Sequence, residues 1–116
     1  MTITNAEAAI NLLSVASSQH GDATETDHYQ DGNKAYIQIL EALKWLTLHH
    51  KTHLLTNLLY SPNISIRLWS ASYLLLQNDL SAKRVLEEIA ALKTIHGLSA
   101  ETTLQEWHSG KLKSLW

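Results

Sequence analysis

The chain has no cysteine, no phenylalanine, one proline and four glycines among its 116 residues. Without cysteine it has no disulfide framework, no thiolate nucleophile and no cysteine-based zinc site. With so few proline and glycine residues it has few helix breakers and few tight turns. Leucine, alanine, glutamate and lysine favour helices, and the length fits one domain. We therefore expect a single all-α domain of short antiparallel helices.

Basic residues are missing from the first third of the chain. Residues 1–33 contain five acids and no lysine or arginine, a charge of −5, whereas residues 34–116 carry nine basic residues and six acids, a charge of +3. This asymmetry argues against a uniformly basic surface for nucleic acid, and no direct contact with nucleic acid is expected. It favours an electrostatic partner at the acidic end.

Long apolar runs and a basic leader are also lacking. No run approaches the roughly 18 apolar residues of a membrane span. The first residues, MTITNAEAAINLL, do not carry the positive charges with which a signal peptide starts. We expect a cytoplasmic protein that does not contact a membrane.

Apolar spacing predicts six helices. Their starts and stops are marked by capping and breaker residues, at Thr4, Gly21, Ser81, Gly97 and Ser99. The expected ranges are 5–19, 29 or 31 to 49, 54–60, 65–76, 82–93 and 99–107. The domain then covers residues 1–116, with 111–116 as a flexible tail.

The segment from Leu54 to Asn78 resembles a HEAT repeat. A leucine-rich helix is followed by the turn SPN at 61–63, then by the hydrophobic–arginine pair Ile66-Arg67, with Ala71 a turn later. The resemblance implies that Arg67 is structural and holds neighbouring loops through hydrogen bonds.

A wider resemblance covers most of the chain. The strings GDATETDHYQDGNKAY, SPNISIRLWSASYLL, AKRVLEEIAA and GLSAETTLQEW together look like a bacterial family of short HEAT-like proteins. The resemblance implies an α-α superhelix and brings no catalytic residues. Such proteins are similar to immunity proteins encoded beside secreted toxins, including those of contact-dependent growth inhibition, which implies a toxin domain as the partner.

The most distinctive stretch is HGDATETDHYQDGNKAY, residues 20–36, which interrupts the leucine-rich pattern. Its four carboxylates could occupy a basic cleft that holds phosphate in a nuclease, and charge complementarity would speed association. Tyrosine is a frequent interface anchor. The candidate partner-binding residues are Asp22, Glu25, Asp27, Tyr29 and Asp31. The alternative is that Thr24, Thr26 and the aspartates of this stretch cap helix ends and stay in water.

The histidines and tryptophans form weaker candidates. His49 and His53 are four apart, but a helix boundary is expected between them and no acid or cysteine completes a zinc site. The polar end of a helix, with imidazoles near its terminal carbonyls, is the simpler interpretation, and no metal is expected. Trp69 and Trp107 are expected in the core, and Trp116 is a second candidate interface anchor.

The sequence has no serine-nucleophile motif, no phosphate-cradling loop and no opposed pair of catalytic carboxylates. We expect a protein that is not an enzyme and uses no cofactor. The leading hypothesis is an immunity protein that blocks the active site of a cognate toxin, a nuclease with a basic cleft. One alternative is a structural or adaptor HEAT-like module that binds another cellular protein. Another is a metal-dependent or nucleic-acid-linked protein that uses the histidines or the basic tail.

Overall fold

A computed structural model describes residues 3–112 of the chain. It contains five α-helices and one 3₁₀ helix, and no strand occurs within the described residues, so the expected all-α class is confirmed. The helices are α1 (Ala6–Thr26), α2 (Tyr29–Leu48), a 3₁₀ helix (Thr52–Tyr60), α3 (Ile64–Leu75), α4 (Leu80–Ala90) and α5 (Ile95–His108). Among these helices, none has the combination of length and apolar character needed to cross a bilayer.

The structure divides into two compact units, Met1–Leu54 and Leu55–Trp116. In the first unit α1 and α2 pack against each other. Because only Asp27 and His28 separate them, they form an antiparallel helical hairpin. Fully buried side chains on both helices form its core, including Leu13, Ile39, Leu43 and Leu46.

Small residues let the two helices of the hairpin approach closely. Ala16 and Ser17 on α1 and Ala42 on α2 are completely buried. A Cβ placed on Gly32 of α2 would lie 3.5 Å from the Cβ of Ala23 on α1, which is ordinary van der Waals contact. The Ser17 hydroxyl has no hydrogen-bond partner, which is unfavourable by about 1–3 kcal/mol.

In the second unit α3, α4 and α5 pack against one another. Its buried residues include Leu75, Leu86, Ile89 and Ala100. The turn before α3 is closed by Asn63, the N-cap of this helix. Asn63 Oδ1 accepts hydrogen bonds from the backbone N–H groups of Ser65 at 2.9 Å and Ile66 at 3.1 Å.

Arg67 completes the same turn, since its guanidinium donates to the carbonyl oxygen of Ser61 at 2.7 Å. This contact lies within its own turn, so the expected link to neighbouring loops stays a prediction. The predicted helix before the turn is a 3₁₀ helix rather than an α-helix.

Three expected helix caps are wrong by one to five positions. The structure uses Asn5, Asp79 and Thr94 as N-caps, where the sequence predicted Thr4, Ser81 and Ser99. The reason is geometric, because a cap needs extended backbone together with a side-chain oxygen that reaches an N–H two or three residues later. Each of the three residues in the structure meets both conditions.

Two expected helix stops are also wrong, at Gly21 and Gly97. Both glycines lie inside helices, α1 and α5, and both are buried. At Gly97 an added Cβ would lie 2.0 Å from the carbonyl oxygen of Leu92, so the chain passes too close for any side chain. This glycine therefore permits a close backbone approach and does not end a helix.

Candidate functional site

The acidic stretch of residues 20–36 is a helical hairpin end and not a loop. Helix α1 continues through Gly21 to Thr26, only Asp27 and His28 lie between the helices, and α2 begins at Tyr29. The turn requires one left-handed residue, which is Asp27, with φ of 64°. Aspartate tolerates this conformation better than most residues. The backbone N–H groups of Asp27 and His28 both donate to the Ala23 carbonyl oxygen.

All five predicted partner-binding residues are exposed at this hairpin end, which we call the acidic tip (Asp22, Glu25, Asp27, Tyr29 and Asp31). The structure brings two of them into one cleft. Asp22 on α1 and Asp31 on α2 both line a cleft of about 380 Å³. Regular helices on both sides hold these carboxylates, which fixes their spacing more firmly than a loop would.

The cleft also contains a cation that the sequence analysis left out. Lys34 lines the same cleft as Asp22 and Asp31. It follows Asp31 by three residues, which places both side chains on one face of α2. This helical spacing was the available signal. The charge of these three side chains is −1 at pH 7, so the cleft is less negative than the number of acids in the stretch indicates.

Asp27 and Tyr29 form a second group at the turn. The Tyr29 hydroxyl donates a hydrogen bond to the Asp27 carboxylate, and this bond raises the pKa of Tyr29 above 10.0, with a smaller contribution from desolvation. Tyr29 nevertheless remains 74% exposed. An exposed aromatic ring tied to an adjacent carboxylate is thus presented to a partner at the end of the hairpin.

Glu25 lies apart from both groups. An α-helix turns by about 100° per residue. Glu25, three residues after Asp22, therefore lies roughly 60° from it around the α1 axis. It lies on the side away from Thr26, which lines the cleft. The acidic tip therefore has three parts: Asp22 and Asp31 in the cleft, Asp27 and Tyr29 at the turn, and Glu25 on the outer side of α1.

The hydrogen bond at the turn makes a direct prediction for the titration of Tyr29. Asp27→Asn removes the negative acceptor, so we expect the pKa of Tyr29 to fall toward 10.0, because the neutral phenol loses its charged partner. NMR of the tyrosine ring against pH measures this shift. Asp22→Asn is the matched control, since it removes a carboxylate of the same tip without touching this bond. An equal shift in both variants would contradict the assigned partner.

The histidine cluster has a structural explanation. His49 follows the last residue of α2, its Nδ1 lies 2.8 Å from the Trp45 carbonyl oxygen, and its ring stacks on the Trp45 indole at 3.9 Å. The expected imidazole near a terminal carbonyl is confirmed at this residue. His50 is left-handed, with φ of 55°. Within residues 3–112, no group of three or more histidine and acidic side chains is placed to hold a metal ion.

The tryptophans are less buried than expected. Trp69 and Trp107 are half-buried rather than in the core. The Trp107 indole N–H donates to Asn78 Oδ1 at 3.2 Å, which ties the end of α5 to the turn before α4. An indole with a polar partner at the surface can satisfy its N–H without full burial. The candidate anchor Trp116 and most of the predicted tail, Lys113–Trp116, lie outside the described residues.

Comparisons of this chain with models of protein families, with curated proteins and with solved structures each found no match.

Proposed function

We propose that this protein is a non-catalytic binding module of the cytoplasm, an immunity protein that covers the active site of a cognate toxin. The proposed toxin domain is a nuclease with a basic cleft. The observation that carries the proposal is the acidic tip, where four carboxylates and an exposed tyrosine lie at one end of a rigid helical hairpin.

The shape of the tip supports insertion into a cleft. Two packed helices, each about 10 Å across with its side chains, end in a connection of only two residues. The carboxylates at such an end can take the positions that substrate phosphates occupy between lysine and arginine side chains. Blocking then requires binding alone, with one inhibitor per toxin and no turnover.

Electrostatics supports rapid capture. A negative tip facing a basic cleft raises the association rate, and the gain falls as salt screens the charges. Tyr29 supplies apolar contact area at the centre of this charged surface, the type of residue that most often carries binding energy.

The experiment is a charge reversal of the tip. The variant that carries Asp22→Lys, Glu25→Lys, Asp27→Lys and Asp31→Lys is expected to bind the toxin domain encoded beside the gene well over tenfold more weakly, by calorimetry. Its fold should persist, because lysines near the C-terminal end of α1 suit the helix dipole, while Asp31→Lys opposes the dipole of α2 by a few tenths of a kcal/mol. Asp27→Lys adds a cost of about 1–2 kcal/mol, since it places lysine at the left-handed position of the turn. Circular dichroism checks the fold.

The matched control reverses four exposed acids of the second unit, Glu87, Glu88, Glu101 and Glu106. It changes the net charge by the same amount, so long-range attraction falls equally in both variants. We expect the control to keep the affinity within about threefold. Equal losses in both variants would contradict the role of the tip, as would an unchanged affinity in both. No binding of the toxin domain by the unaltered protein would favour the adaptor alternative.

A further inference from the structure

The side of α2 that faces away from its buried residues carries an exposed stripe. Tyr29, Ile37 and Leu48 are 74%, 57% and 76% exposed. At about 100° per residue, six positions fall within an arc of roughly 100° on this side of the helix. We call this set the α2 outer stripe: Tyr29, Asn33, Ile37, Leu40, Lys44 and Leu48; all are exposed except Leu40, which is half-buried.

The spacing of the stripe is the same in both directions along the chain. Its steps are four, four, three, four and four residues. These are the steps by which one helix packs its side chains along another. If a second copy of α2 runs antiparallel, the order reverses and the stripes coincide. Tyr29 then lies opposite Leu48 and Ile37 opposite Leu40, while Asn33 lies opposite Lys44.

The exposed charges beside the stripe fit the same arrangement. Lys34 and Glu41 lie on one flank of it, seven residues apart, and both are exposed. In an antiparallel pair each Lys34 faces the Glu41 of the other copy, on both sides of the symmetry axis. Asp27 and Lys51 lie just beyond the two ends of α2 and are both exposed, so an antiparallel pair brings opposite charges to each of its ends. In a parallel pair the same flank of the two copies lies on opposite sides of the interface, so Lys34 and Glu41 would not pair.

We propose that the α2 outer stripe binds a second copy of this chain, antiparallel and related by a two-fold axis. Such an interface is isologous, since the same surface serves both copies. One helix face offers less area than the roughly 800 Å² per partner of a standard interface, so we expect a weak, transient dimer. The proposal goes beyond the immunity role and does not depend on it. Asp27 and Tyr29 belong to both surfaces, so for these residues the dimer and the toxin complex are alternatives.

The first experiment measures molar mass by sedimentation equilibrium at chain concentrations from about 1 to about 200 µM, a range that spans micromolar affinities. The mass should rise from 13.0 kDa toward twice that value. Ile37→Asp places a charge at the centre of the stripe and should weaken the dimer at least tenfold. Val15→Asp is the control, because Val15 on α1 is 56% exposed and outside the stripe. A mass that stays at 13.0 kDa, or equal behaviour of the two variants, overturns the proposal.

The second experiment tests orientation by exchanging charges within one chain. Glu41→Lys creates two like-charge contacts in the antiparallel dimer and should weaken it about tenfold. Adding Lys34→Glu to the same chain restores both pairs and should return the affinity to within about threefold of the original. Positions seven apart on one helix do not pair within the chain, so restoration reports the contact between copies. A double variant as weak as the single one overturns the antiparallel arrangement, as does a single variant with unchanged affinity. The toxin complex is tested separately, by the charge reversal of the acidic tip.

Discussion

Gly97→Ala is expected to destabilise the protein by about 3 kcal/mol, although the same change in most helices is favourable. The new Cβ would lie 2.0 Å from the Leu92 carbonyl oxygen and 3.1 Å from that of Ile89. Both neighbours are backbone atoms, so no side chain can rotate away. The connection between α4 and α5 would have to move by roughly 1 Å to relieve the contact, which separates buried residues of both helices. That cost exceeds the gain of up to about 1 kcal/mol in helix propensity.

Gly32→Ala is the matched control for Gly97→Ala. Gly32 also lies in a helix, but its added Cβ meets only the Ala23 Cβ, at 3.5 Å. The contact is ordinary, so we expect helix propensity to dominate and stability to rise by about 0.5–1 kcal/mol. Urea denaturation followed by circular dichroism compares the two variants. A change in stability of the same sign in both variants would show that Leu92 approaches Gly97 less closely than the structure describes.

Helix boundaries that depend on apolar spacing could be predicted from the sequence. Helix α2 was expected to run from 29 or 31 to about 49 and covers Tyr29–Leu48, and α3 was expected at 65–76 and covers Ile64–Leu75. Both contain a continuous helical pattern, and Pro62 with Asn63 marks the start of α3 locally. Burial of a repeated apolar face sets these boundaries, and the sequence displays that face directly.

Boundaries that depend on tertiary contact could not be predicted in this way. Gly21 was expected to stop α1, but the helix continues to Thr26 because this glycine is buried in the helix. A glycine that ends a helix and one that permits close packing look identical in the sequence. Gly97 was misassigned for the same reason. Only the positions of neighbouring elements distinguish these two uses of glycine.

The composition of the acidic tip could be predicted, but its grouping could not. The stretch stands out by charge, and the structure exposes all five residues named from it. That Asp22 and Asp31 line one cleft, whereas Glu25 does not, follows from the extension of α1 by two turns beyond the expected end. The order of charges along the chain does not place Lys34 in the acidic stretch. It lines the cleft because residues three and four apart lie on one face of a helix.

The second large effect is expected from Leu43→Ala, which should destabilise the protein by roughly 3 kcal/mol. Leu43 is completely buried in the hairpin of α1 and α2, so truncation removes its buried methyl groups and leaves a cavity. The hairpin positions the acidic tip, and its loosening should also weaken toxin binding without changing any charged residue.

Leu48→Ala is the control on the same helix. Leu48 is 76% exposed, so we expect stability to change by less than about 0.5 kcal/mol. Thermal and urea unfolding should be measured at about 1 µM, because dimerisation through the α2 outer stripe would add a concentration-dependent contribution to both proteins. At that concentration the two leucines differ only in burial within the chain. Similar losses from both truncations would mean that Leu48 is packed in the folded chain, which would also remove it from the surface proposed for the second copy.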